Sequence, residues 1–336
     1  MPAIKLSSFG GTIPALDAHL LSDNMAAAAE NTWLYSGALE GIREARAIHT
    51  CVDPLTKRVF RIPKQYVDKD HIVDSYWLEF PFKDMDVLKS PTSNDSYSRF
   101  YWAGDTGGSI PPRYNTLARI ATGSAPFTLG IPSPTVAPVV RTSPSQPMRA
   151  DVGGYSITAP SVTLVYGKTS GQLSQLAVGG SGIPVSNPST TRLAVSRAYA
   201  YTWVSAYGEE GAPSPATVLT GLTDDHWNIT LTAPTSTVTT NRNITNVRIY
   251  RTITSAAGVA TYFQVAELPI ATTSYVDNLS DTEVSANNQL ASSNWTPPPT
   301  DLAGMTALPN GMFVGFRENE VWFSEPYRPH AWPSDY

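Results

Sequence analysis

Beyond residue 192 the chain alternates. In AYAYTWVSAYGEEGAPSPATVL, Tyr199, Tyr201, Trp203, Ser205 and Tyr207 recur at every second position, so they share one face of a strand. The turn formers GEEGAPSP follow, and then a strand, ATVL. Four further runs, NITLTAP, NVRIYRTIT, TYFQVAELP and TSYVDNL, are each cut off by Pro, Gly, Asn or Asp. Short strands at this spacing predict an antiparallel β-sandwich over residues 192–290, with Tyr201, Trp203, Ile249, Tyr250 and Val265 competing for its core.

The N-terminal part is also read mainly as strands. RVFRI is expected to stop at Pro63, SYWLEF at Pro81 and SRFYWAG at Gly104. TWLYSGAL and IREARAIHT are expected to pair across the turn formers at 37–41. One segment reads as helix, residues 22–31, where Ser22, Asp23 and Asn24 offer N-cap side chains before an Ala-rich run. From 123 to 160 Pro, Ser, Thr and Gly dominate, which predicts an extended connector or arm over 123–191. After NWTPPPTDL, the strands GMFVGF and EVWFSEP are joined by RENE as a hairpin. The expected fold is mainly β and multidomain. It comprises a docking segment and small β-rich domain at 1–122, the connector at 123–191, the sandwich at 192–290, and a linker with hairpin at 291–336.

Composition narrows the function classes. Charged residues make up only 15% of the 336, while 28 Pro and 23 Gly punctuate the chain with turns. The net charge is −5 and Lys and Arg are scattered, so no basic face for nucleic acid is visible. An acidic wall can still line a channel through which DNA passes, since a non-sticking wall needs no attraction to phosphate. A single cysteine, Cys51, excludes an intramolecular disulfide framework. No apolar stretch reaches the length of a membrane span. The opening MPAIKL is not followed by an apolar run, so no signal peptide is expected and synthesis is placed in the cytoplasm. The Asn-x-Ser/Thr triplets at Asn94, Asn228, Asn243, Asn278 and Asn294 then read as chance products of a chain rich in those residues.

Candidate chemistry is sparse. Asp224-Asp225-His226 offers metal-ligand types, but adjacent residues alternate sides on a strand and suit a polar turn better. His49 and Cys51 share a strand face without a second ligand pair. AGDTGGS at 103–109 lacks the Lys and Ser/Thr of a phosphate-binding loop and reads as a turn. Glu209-Glu210 and Asp84/Asp86 have the residue types of paired catalytic carboxylates, but both pairs fall in loops where solvated charge is the expectation. Tyr97, Tyr101, Trp102, Trp322 and Trp332 could stack on sugars, although aromatic-rich strands usually supply cores or subunit interfaces. No cofactor, metal or catalytic residue is expected.

Three motif sets carry a resemblance. Phe9-Gly10-Gly11-x-Ile13, Leu20-Leu21, Asn31-x-Trp33 and Gly37-x-Leu39-x-Gly41-x-Arg43 resemble the opening of the tail nozzle proteins (tail tubular protein B) of short-tailed bacteriophages. NGMFVGFRENEVWFSEPYRPHAWP resembles virion segments that lead into a propeller-like β-domain. Tyr201-x-Trp203-Val204, the GEEGAPS turn, Arg248-Ile-Tyr-Arg-Thr252 and Tyr275-Val-Asp277 resemble a fibronectin type III-like module. The resemblance implies a structural virion protein in the phage tail, made in the host bacterial cytoplasm. It further implies a homo-oligomeric ring (a hexamer in the nozzle family), with adaptor and tail-fibre neighbours and DNA only in passage. It also implies that Phe9, Ile13, Leu16, Leu20, Leu21, Trp33 and Leu34 form a docking interface. The alternative is a receptor-binding or fibre-anchoring tail protein, with or without polysaccharide-degrading activity.

Overall fold

The computed structural model describes residues 10–33, 40–42, 47–68, 71–143, 194–223, 225–254 and 260–335. Contacts divide the chain into Met1–Pro54 and Leu55–Tyr336. The expected division at 122 is therefore not where contacts thin out, because residues 55–122 pack with elements much later in the chain.

In the smaller unit, β1 (Gly11–Thr12) and β2 (Met25–Ala26) pair in parallel, and a 3-10 turn at Ala18–Leu20 lies between them. β3 (Thr32–Trp33) and β4 (Glu40–Gly41) pair antiparallel. The helix expected at 22–31 does not form. Ser22 instead closes a turn, its carbonyl accepting from Met25 N at 2.9 Å, and Met25–Ala26 continues as strand. An Ala-rich run of this length is marginal as a helix alone. Here its backbone is satisfied by the glycine segment, with Gly10 N donating to Asn24 O and Ile13 N to Ala26 O.

The larger unit holds a layered body and a sandwich. In the body, β5 (Arg58–Asp68) and β6 (His71–Phe80) form a long hairpin. β5 runs through Pro63 rather than stopping there. Among the described residues it pairs with β6 alone, as an edge strand, where proline is tolerated, and the register shifts just beyond Pro63. β7 (Asp86–Lys89), β8 (Arg99–Ala103), β9 (Arg113–Thr116) and β10 (Phe127–Thr128) form the central sheet in the order β10-β9-β8-β7. Helix α1 (Leu117–Ala121), capped by the Thr116 side chain, follows β9.

The period of two along β8 explains the layering. Phe100 and Trp102 face one core, with Ile62, Phe80 and Met85 and, at its margin, Leu117 and Ile120. Tyr101 and Ala103 face a second core with Tyr114, Phe127, Leu129, Leu302, Met305, Phe313 and Trp332. A strand buried on both faces needs cover on both sides. The hairpin and α1 supply one cover, and the C-terminal sheet supplies the other.

β11 (Val139–Ser143), β12 (Ala194–Ser205), β13 (Thr217–Leu222), β14 (His226–Thr230), helix α2 (Ser236–Arg242), β15 (Ile244–Thr254), β16 (Ala260–Pro269), β17 (Ser274–Asp277) and helix α3 (Asp281–Ser285) follow. A four-stranded sheet, β13-β12-β15-β16, and a three-stranded sheet, β11-β14-β17, share one core. Tyr199, Tyr201 and Trp203 from β12 meet Trp227 and Ile229 from β14 there, as the alternation predicts. Ile249 and Val265 join them. Tyr250 is buried on the opposite face instead, because β15 also alternates.

β11 comes from the stretch expected as connector. Phe127, Leu129 and Ile131 are likewise core residues, so residues 126–143 belong to packed structure. Residues 144–193 lie outside the described residues. The expected C-terminal hairpin is also larger. β18 (Ala303–Ala307), β19 (Phe313–Arg317) and β20 (Glu320–Phe323) form a three-stranded sheet that closes the second body core.

Trp203 is nearly buried but lies near the end of β12. Trp203→Ala should cost about 3 kcal/mol of stability, the lower end for such truncations. Denaturant titration of the full chain checks this, and an unchanged midpoint would remove Trp203 from the core.

Candidate functional site

One cluster of buried charged residues lies where the sandwich meets the body, on the β12–β13 connection. Gly208 takes φ +76°, and the two residues after it diverge. Glu209 turns to the body, where its Oε1 accepts from Arg99 Nη1 at 2.8 Å. Arg99 is held in turn by Asp95, with Nε to Oδ2 at 2.9 Å. Glu210 turns back onto the sandwich and accepts from Arg248 Nη1 at 2.7 Å, Tyr250 Oη at 2.7 Å and Thr202 Oγ1 at 2.6 Å. The loop explains why β12 is buried on both faces, since Glu210 covers Thr202 on the side away from the core.

This corrects the expectation of a solvated pair. Glu209 is 3% and Glu210 7% exposed. Burial pushes the Glu209 carboxyl above its ordinary value, against the pull of the Arg99 guanidinium. Asp95 moves the other way. Burial would raise it, but the hydrogen bonds and charge of Arg99 outweigh that and hold it low. Burial, reinforced by the Glu209 carboxylate, pushes the Tyr114 phenol far above its ordinary range. With each glutamate spent on its own arginine, the two carboxylates do not converge on a shared space as a hydrolytic pair would.

Backbone contacts complete the junction. Arg242, in the last turn of α2, donates from Nη1 to the carbonyls of Leu129 (2.9 Å) and Gly130. Gly130, at φ +84°, lies against residue 297, where an added Cβ would come within 2.6 Å of Pro297 Cα. Ala212 N donates to Trp295 O at 3.0 Å. Outside, Tyr97 tilts on Tyr207 with ring centroids 4.5 Å apart.

A second ionic cluster lies inside the sandwich. Arg251 and Asp277 are both 0% exposed and pair at 2.6 Å, and Tyr199 Oη donates to the same Asp277 oxygen at 2.7 Å. Asp281, at the start of α3, accepts from Arg251 at 2.9 Å and from Arg197 at 2.8 Å. Arg197 also lies over the Trp227 ring at 4.9 Å.

The other candidates resolve one by one. Asp225 Oδ2 accepts from Leu222 N at 3.1 Å, which makes it a turn residue before β14, and Asp224 lies outside the described residues. Asp105 accepts from Gly107 N and Ile110 N, tying the AGDTGGS turn to itself. Asp84 is exposed and Asp86 is half-buried on β7. His49 is half-buried and Cys51 exposed. Tyr101, Trp102 and Trp332 are core residues and cannot stack on a sugar, whereas Tyr97 is exposed and Trp322 half-buried.

Of the expected docking residues, Ile13 and Leu21 are half-buried, and Leu16 and Leu20 are exposed. Only the backbone of Trp33 is described, and Phe9 and Leu34 lie outside the described residues. Arg99 and Asp95, the centre of the junction, were not singled out in the sequence. Their only local signal is the i, i+4 spacing of opposite charges. No protein-family model and no curated protein matches the chain.

Proposed function

We propose that the chain is a structural protein of a bacteriophage tail that assembles as a ring, part of the nozzle or hub through which the genome passes. Sequence resemblance motivates the virion reading. The observation that carries the assembly reading is the state of the smaller unit, in which no described residue is buried. Leu16, Leu20, Ile42 and Ile48 all present apolar surface there. Described residues that bury no core of their own do not offset their ordering entropy by internal packing, so on this reading the unit gains order by covering that surface with a neighbouring subunit.

The larger unit suits a wall. Its sandwich is fixed to its body by the buried Arg99–Glu209 ion pair and by close backbone contacts rather than by a tether alone, so copies placed in a ring would keep one shape. Native mass spectrometry of the full chain at micromolar concentration should show a closed oligomer, a hexamer on the nozzle reading. A monomer as the sole species would overturn the ring. A closed trimer would shift the reading toward the fibre-anchoring alternative.

A further inference from the structure

We propose that residues 329–333 form an acid-released latch: protonation of His330 expels the turn from its seat against Trp295 and the Glu209–Ala212 loop, loosening the junction of sandwich and body. The proposal goes beyond the tail reading and does not rest on it.

The turn PHAWP has prolines at both ends and three buried residues between them, with His330 5% exposed and Ala331 and Trp332 fully buried. Trp332 anchors it. Its Nε1 donates to Pro329 O at 2.8 Å, its backbone N to Thr296 O at 2.8 Å, and its carbonyl accepts from Thr296 Oγ1 at 2.6 Å. Those bonds account for the turn's docking without His330. The imidazole meets Trp295 edge-on at 5.8 Å, and its Nε2 is buried with no hydrogen-bond partner. A hydrogen bond with the backbone of Glu210 favours the charged ring, but burial outweighs it. A neutral ring tolerates such a seat, but an imidazolium with an unpartnered buried N–H does not.

The surrounding charges reinforce this. From its own turn, Arg328 faces the ring while lying over Trp295 at 4.4 Å. From β8, Arg99 adds a second positive charge. The nearby carboxylates are engaged elsewhere: Glu209 and Asp95 on Arg99, and Glu210 on Arg248. Burial first, and then the two guanidinium groups, push His330 down to about 3. A histidine depressed in this way contributes stability that is fully present above its ordinary value near 6.5. That contribution is lost progressively as the pH falls from there toward about 3. Glu209 works in the opposite sense. Its raised carboxyl takes up a proton more readily in the closed form, so acid tightens the junction through it. Comparing wild type with His330→Gln at each pH cancels the Glu209 contribution.

Hydrogen exchange of the full chain, corrected for the intrinsic rate, tests the latch at pH 7.5 and 5.0. The reporters are the bonded amides of Ala331, Trp332 and Ala212. The ratio of their opening constants, wild type over His330→Gln, should rise by about 30-fold between the two pH values, tenfold per unit below 6.5. Amides of β8, β12 and β15 should stay protected in both. A ratio that does not change with pH overturns the proposal, as does equal loss of protection across those strands. If His330→Gln does not fold, the wild-type chain decides. An imidazole still neutral at pH 5.0, with the turn's amides exchanging faster, supports the latch. Titration of that ring near 6.5, or unchanged exchange, overturns it.

Discussion

Asp277→Ala should destabilise the larger unit by about 3–5 kcal/mol, the range for removing one member of a buried ion pair. Asp277 takes three roles at once. It accepts from Arg251 Nη1 at 2.6 Å and from Tyr199 Oη at 2.7 Å, and its second oxygen accepts from Leu279 N at 3.0 Å. Truncation leaves a guanidinium with no exposed surface, whose remaining carboxylate partner, Asp281, is half exposed at 47%. It also leaves the Tyr199 hydroxyl without an acceptor inside the sandwich core. Asp277→Asn keeps the shape and one acceptor oxygen but removes the charge, so it should lie between wild type and Asp277→Ala. Replacing both partners, Arg251→Leu with Asp277→Leu, should recover part of the loss, because no uncompensated buried charge remains. Denaturant midpoints of the three variants check the order. Equal midpoints for wild type and Asp277→Ala would mean that the pair is open to water.

The two ionic clusters show where sequence reading reached its limit. The sandwich was legible because its strands alternate strictly, and Tyr199, Tyr201 and Trp203 lie on the inner face that the period assigns them. The body was only partly legible. FYWA in β8 is apolar at every position, and a period of two is invisible when both faces are buried. Residues 126–143 read as connector because Pro, Ser and Thr dominate them. Phe127, Leu129, Ile131 and Val140 are enough to bind that stretch to two cores. The helix expected at 22–31 rested on local propensity alone, and pairing with residues 11–12 overrode it. The signal for α3 was present but unread: Ser280 and Glu283 form a capping box. Glu209 and Glu210 looked solvated because their arginines are remote in sequence, 110 positions away for Arg99 and 38 for Arg248. No local pattern encodes a partner at that distance.

If the chain assembles as the proposed ring, deleting residues 1–54 should leave the larger unit folded and abolish ring formation. The division at Pro54 and Leu55 places the three hydrophobic cores of the described residues within the retained chain, so its unfolding midpoint should change little. The deleted part holds Leu16, Leu20, Ile42 and Ile48, which are 43–64% exposed. Full burial of four such side chains is worth about 6–12 kcal/mol against complete exposure, and with roughly half their surface still open about 3–6 kcal/mol remains to be gained. Ordering entropy reduces this, yet a few kcal/mol per contact repeated around a closed ring separates an assembled from a dissociated population at micromolar concentration. A milder variant, Leu16→Asp with Leu20→Asp, should weaken assembly without touching any core. Native mass spectrometry of all three proteins at matched concentration reads the result. A ring formed by residues 55–336 alone would locate assembly in the larger unit, and Met1–Pro54 would then be an appendage with no part in closing it.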